Sequence, residues 1–256
     1  MTYFSKAEQR FIFCGRLFVI SFALNLLSFS VIAKESAIHP KIRAKPQLLF
    51  IGDSHSVGVF GHELTKLLTQ SLPGVDITTV ASCGSDPKWW IESKPTSCGF
   101  WQRRPDGSQI EEHKANTPKL EKLMHNKPKL TIVALGSNIV LMNEDERISY
   151  TAKLMEMIEK KSSRCIWIGP PDSRKFSVQE INSVYSLLKK LAKPHHCQLI
   201  DSRKYTLYPS MGGDGLHYGG KEGTVIALHW AEKVFSHDMK PILLKSFSHE
   251  REYKKN

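Results

Sequence analysis

Short apolar runs punctuate this chain, and most are followed by a stretch in which apolar residues recur every third or fourth position. The runs are QLLFI (47–51), DITTV (76–80), LTIVAL (130–135), CIWIG (165–169) and CQLID (197–201). They are brief and rich in Ile, Val and Leu, as strands covered on both faces should be. Residues 57–71, 146–161, 177–192 and 221–236 carry the spacing of amphipathic helices. The order β, α, β, a long connection, β, α, β, α, β, α predicts a doubly wound α/β sheet with helices on both faces. In such sheets ligands bind beyond the carboxyl ends of the strands.

The connection over about 81–128 is too long for a crossover helix. It holds Trp89, Trp90, Phe100 and Trp101, several Pro and Gly, and both Cys83 and Cys98. We read it as an ordered loop insertion with its own disulfide, and long loops in compact domains tend to be functional. Trp89, Trp90 and Trp101 are candidates for stacking on a sugar ring, with core filling of the loop as the alternative.

The first 33 residues break the pattern. Lys6, Arg10 and Arg16 precede an apolar run without charge, residues 17–33, that ends in Val31 and Ala33. This is the layout of a secretory signal peptide cleaved after Ala33; its length also reaches the lower limit for a membrane span, so membrane association follows only if the segment is retained. The reading is therefore a signal peptide over 1–33 and one domain over 34–256, periplasmic or extracellular, and monomeric. The tail from Lys245 to Asn256 is polar enough to fray.

Composition narrows the classes. With 256 residues and 41% hydrophobic content the chain can bury a sizeable core. Loss of residues 1–33 removes three basic and one acidic side chain, so the formal charge of +11 falls to +9. That field favours anionic partners such as cell-wall polymer or lipid head groups, while no basic stretch is interleaved with aromatics as nucleic-acid binding requires. Cys14 leaves with the signal. The remaining Cys83, Cys98, Cys165 and Cys197 read as two disulfides in an exported protein. Cys83 and Cys98 would close the long loop and Cys165 and Cys197 begin neighbouring strands, but four cysteines allow three pairings and the choice stays open. No metal and no cofactor is expected: PHHC (194–197) has no second ligand cluster at zinc-like spacing, so His195 and His196 are read as surface residues.

Candidate chemistry sits where strands end. IGDSHSVG places Ser54 just past the first strand, ASCGSD places Gly84 after the second, ALGSN places Asn138 after the third, and GDGLHYGGKEG carries Asp214 and His217 three residues apart. A serine hydroxyl is a weak nucleophile until a base takes its proton, and the base needs a partner that fixes its tautomer. His217 and Asp214 supply such a pair within one glycine-rich turn. The oxyanion of an acyl-transfer intermediate needs donors, which the N–H groups of Ser54 and Gly84 and the Asn138 amide would provide. Asp53 is read as a structural hydrogen-bonding residue beneath the turn, His55 as a partly exposed turn histidine, and Pro170 and Pro171 as stiffeners at the rim.

These four blocks, in this order, resemble those of the GDSL or SGNH hydrolases, over residues 47–236. The resemblance implies a flavodoxin-like three-layer α/β/α sandwich with a five-stranded parallel sheet, a Ser54–His217–Asp214 triad and an oxyanion hole of Ser54, Gly84 and Asn138. His55 and Ile139 stand where many members have Leu and Asp, and neither position has a proposed catalytic role. The activity expected is hydrolysis of acyl esters, acetyl above all, on carbohydrate or cell-wall glycan. A lipid esterase, lysophospholipase or thioesterase comes next, then an O-acyltransferase, then an inactive carbohydrate-binding relative.

Overall fold

In chain order the strands are β1 (Gln47–Gly52), β2 (Asp76–Ser82), β3 (Pro95–Thr96), β4 (Phe100–Arg103), β5 (Gln109–Glu112), β6 (Ala115–Asn116), β7 (Leu130–Ala134), β8 (Cys165–Ile168) and β9 (Cys197–Ile200). The helices are α1 (Ser54–Val57), α2 (Val59–Ser71), α3 (Pro87–Glu92), α4 (Leu120–Leu123), α5 (Glu144–Lys161), α6 (Val178–Ala192), α7 (Gly220–Lys233) and α8 (Lys240–Phe247), the last two joined by a π-helical segment, Val234–Met239. This computed structural model describes residues 44–247. The signal segment expected over 1–33 lies outside the described residues, as does 248–256 of the tail; Lys245–Phe247 of that tail is helical, with Phe247 buried.

The apolar runs form β2, β1, β7, β8 and β9, side by side and all parallel. Two further strands correct the expectation of a five-stranded sheet. β4 pairs antiparallel with the outer edge of β2, and β5 with β4, giving the order β5-β4-β2-β1-β7-β8-β9. The long insertion is thus a loop excursion that carries the short strands β3, β4, β5 and β6 and the short helices α3 and α4. FWQR and QIEE lack an apolar run because both strands lie at the margin of the sheet, where β5 is mostly exposed.

Alternation across the pleat divides the core. Leu48, Phe50, Ile132 and Ile166 face α2 and α7, meeting Phe60, Leu64, Leu68 and Trp230. Leu49, Ile51, Val133 and Trp167 face α5 and α6, meeting Leu154, Ile158, Val184 and Leu188. Asn143 caps α5, and Ser177 with Glu180 forms a capping box at α6. Both disulfides are present: Cys83–Cys98 closes the base of the insertion, and Cys165–Cys197 joins residues directly opposite in β8 and β9. Among the described residues no helix is long and apolar enough to cross a membrane.

Candidate active site

β1 ends in a glycine because nothing else fits there. A Cβ on Gly52 would collide with the side chain of Ser56, which the next turn folds back over the strand. That sharp turn makes Ser54 the first residue of α1, and Asp53 caps the helix by accepting from the His55 N–H at 3.0 Å. Gly52 pairs with Ala81 of β2 and Ala134 of β7, so the segments bearing Ser54, Gly84 and Asn138 leave one edge of the sheet side by side.

Asp214 and His217 arrive from the loop between β9 and α7. His217 Nε2 lies 2.9 Å from Ser54 Oγ, and His217 Nδ1 lies 2.6 Å from Asp214 Oδ2. With Nδ1–H donated to the carboxylate, Nε2 presents a lone pair to the Ser54 hydroxyl. The other carboxylate oxygen, Oδ1, accepts from the N–H groups of Leu216 (2.9 Å) and His217 (2.7 Å). Desolvation works to raise the Asp214 pKa, yet the hydrogen bonds from His217 and Leu216 outweigh it and hold the carboxyl below its usual range. Asp214 is therefore a carboxylate at neutral pH.

On the other side of Ser54, Gly84 takes a left-handed conformation, φ +82°, that an L side chain rarely adopts. The Asn138 side chain is anchored: one amide hydrogen goes from Nδ2 to the Ser85 carbonyl at 3.0 Å, which leaves its second N–H as a donor. Ser85 is buried; its hydroxyl donates to the Gly52 carbonyl at 3.4 Å and accepts from Trp90 Nε1 at 3.1 Å. It ties the second and third blocks to the first, and no sequence signal pointed to it.

His55 departs from expectation. It is buried, not partly exposed: Nε2 is 3.3 Å from Ser137 Oγ, and the ring packs 5.5 Å from His217 and 5.7 Å from Trp230, centroid to centroid. Burial, then the nearby His217, drive its pKa down to about 3, so the ring is neutral. Burial pushes the Asp53 carboxyl up to about 7, against the hydrogen bond from His55. Pro170 and Pro171 are likewise buried rather than at the rim, with Pro170 packed against Gly136.

The aromatic candidates separate. Trp90 is fully buried in the core, and Trp101, in β4, is 2% exposed beneath the His62 ring, so neither can present a ring to a sugar beside Ser54. Trp89 does reach the site, with its ring edge 3.4 Å from where a Gly84 Cβ would stand. His195 is paired with Glu159 at the surface.

A further group of side chains holds the loop of Asp214 and His217. Arg174, just after β8, donates to the carbonyls of Pro209 (3.2 Å), Ser210 (2.5 Å) and Gly212 (2.6 Å). The Tyr208 hydroxyl accepts from Gly215 N–H at 3.0 Å and donates to the His217 carbonyl at 3.1 Å.

Two hollows flank the site. One, about 430 Å³, adjoins Ser54 and His217 and is walled by Val57, Phe60, Tyr218, Trp230 and the Cys83–Cys98 bridge. The other, about 690 Å³ and open, lies on the Gly84 and Asn138 side with Trp89, Leu141 and the Lys88–Glu146 ion pair in its wall.

No protein-family profile matches the chain. No curated protein matches it either. Solved structures do. Axe2, an acetylxylan esterase from Geobacillus stearothermophilus, is 16% identical, with 74% of this chain and 94% of that one covered and a TM-score of 0.50. TesA is 17% identical, with 77% and 99% covered and a TM-score of 0.52. The chain has the fold they share, that of the SGNH hydrolases.

Proposed function

We propose that the protein is an exported serine esterase that removes acyl groups, acetyl above all, from carbohydrate or cell-wall glycan. The observation that carries this reading is the continuous hydrogen-bond line from Ser54 Oγ through His217 to Asp214. His217 Nε2 takes the Ser54 proton as Oγ attacks the ester carbonyl. The oxyanion is met by the N–H groups of Ser54 and Gly84 and the Asn138 amide. His217 then returns the proton to the departing alkoxide, and a water repeats the sequence to release the acid and restore the serine. The acetylxylan esterase among the similar structures supports the choice of acyl group and carrier. The two disulfides support export.

A second reading, a lipid esterase or thioesterase, draws on the apolar walls of the chamber beside Ser54. Against it, an alkyl chain on the oxyanion side would lie across the Lys88–Glu146 pair.

The test is turnover of an aryl acetate by protein lacking residues 1–33. Ser54→Ala and His217→Ala should each lose at least about a thousandfold in kcat, and Asn138→Ala about a hundredfold. Near-normal turnover in Ser54→Ala would remove the mechanism.

A further inference from the structure

The chamber beside Ser54 does not stop at the disulfide. Val57 lines both it and a groove of about 300 Å³ bounded by Gly99, Glu111, Glu112 and His113. That groove in turn shares His62 and Trp101 with a hollow of about 250 Å³ bounded by Lys66, Arg103 and Gln109. Gly99 packs closely on Val57 where chamber and groove adjoin: at φ +133°, an added Cβ would stand 3.2 Å from Val57 Cγ1. The three spaces therefore lie next to one another, from the side of Ser54 out over the β4–β5 ribbon, each sharing wall residues with the next.

The lining has a definite chemistry. In the middle, the exposed His62 ring lies flat on Trp101, with centroids 3.8 Å apart and planes 16° apart, and Trp101 is itself held by its Nε1–H bond to Gln109 at 2.9 Å. A flat ring in a fixed orientation is thus flanked by carboxylates, a guanidinium and an ammonium group. An alkyl chain would desolvate those charges without return, and a polyanion would meet Glu111 and Glu112. Hydroxyl-rich sugars suit both kinds of charged group and the ring face.

We propose that these spaces form one track for an extended glycan. The esterified sugar sits in the chamber beside Ser54 and His217, and its neighbours along the polymer lie past Val57 over His62 and the β4–β5 ribbon. This rests on the esterase reading for its inner end and extends it: the carrier is a chain of several sugars, not a monosaccharide or a lipid.

The experiment compares His62→Ala/Glu111→Ala, and separately Arg103→Ala, with the wild type on soluble acetylated xylan, soluble cellulose acetate and an aryl acetate. The expected result is a KM for the polymer raised about tenfold, from lost hydrogen bonds and ring contact, with aryl acetate kcat/KM unchanged, which also reports a folded site. An unchanged ratio of polymer to aryl acetate activity in both variants overturns the track, as does turnover of aryl acetate but of neither polymer. Failure of all ester substrates would instead sink the esterase reading. Binding of xylohexaose and cellohexaose to Ser54→Ala protein, followed by calorimetry, then decides the track by itself: binding weakened by the two variants supports it, and no binding of either sugar overturns it.

Discussion

The side chains on either side of Ser54 titrate in opposite senses. Asp53, with a folded pKa of about 7 against an ordinary value of 3.8, holds its proton more tightly in the folded protein, so its contribution to stability falls as pH rises from about 4 to about 7. His55, with a folded value of about 3 against 6.5, must lose a proton to be buried, so its contribution grows as pH rises from about 3 to about 6.5. The two oppose each other over most of that range. Asp53→Asn keeps an oxygen that can accept from the His55 N–H but deletes the falling contribution. Its stability relative to wild type should therefore increase between pH 4.5 and 6.5, by up to about 1.4 kcal/mol per pH unit. Urea unfolding at the two pH values checks this, and parallel changes in both proteins would contradict it.

Among the elements, the loop that carries Asp214 and His217 depends on a neighbour it never meets in sequence. Arg174 binds three of its carbonyls, and the N–H groups of Arg174 and Lys175 both donate to the Gly215 carbonyl. Arg174→Ala should lower kcat about tenfold while leaving KM near its wild-type value, since small displacements of a catalytic group are costly. Faster amide exchange over residues 209–213 should accompany it; unchanged kcat and exchange would make Arg174 a bystander. The insertion has its own staple. Cys83 and Cys98, with a sequence separation of 15, give about 3 kcal/mol by chain entropy. A Cys83→Ser/Cys98→Ser protein should lose about that much in guanidinium unfolding and also turn over more slowly, because Cys83 precedes Gly84.

At the scale of the whole molecule, the proposed preference for acetyl rests on what surrounds the site. A lipid enzyme gains about 0.8 kcal/mol for each methylene it buries and needs a continuous apolar channel to do so. The hollow on the Gly84 and Asn138 side places Asp86, Lys88, Lys94 and Glu146 among its few apolar side chains. Activity on aryl esters should therefore fall steeply from acetyl to octanoyl. A rise with chain length would transfer the assignment to a lipid esterase that uses the chamber of Phe60 and Trp230.

How much of this was legible in the chain depended on range. Strand after strand could be read because a strand covered on both faces must be apolar throughout, and the sites after them because Asp214 and His217 meet within one turn and Ser54 follows its strand directly. That logic determined the parallel sheet, the four blocks and the even cysteine set. Only the tertiary structure decided the rest. β4 and β5 escaped notice since strands at the margin of the sheet need no apolar run, and the direct register of Cys165 with Cys197 selected one pairing from three. Burial of His55, Trp90 and Trp101 was invisible because burial is a property of what packs above a residue. Ser85 and Arg174 matter through bonds to groups remote in sequence, Tyr208 through backbone groups of its own loop, and a backbone partner leaves no mark on residue identity.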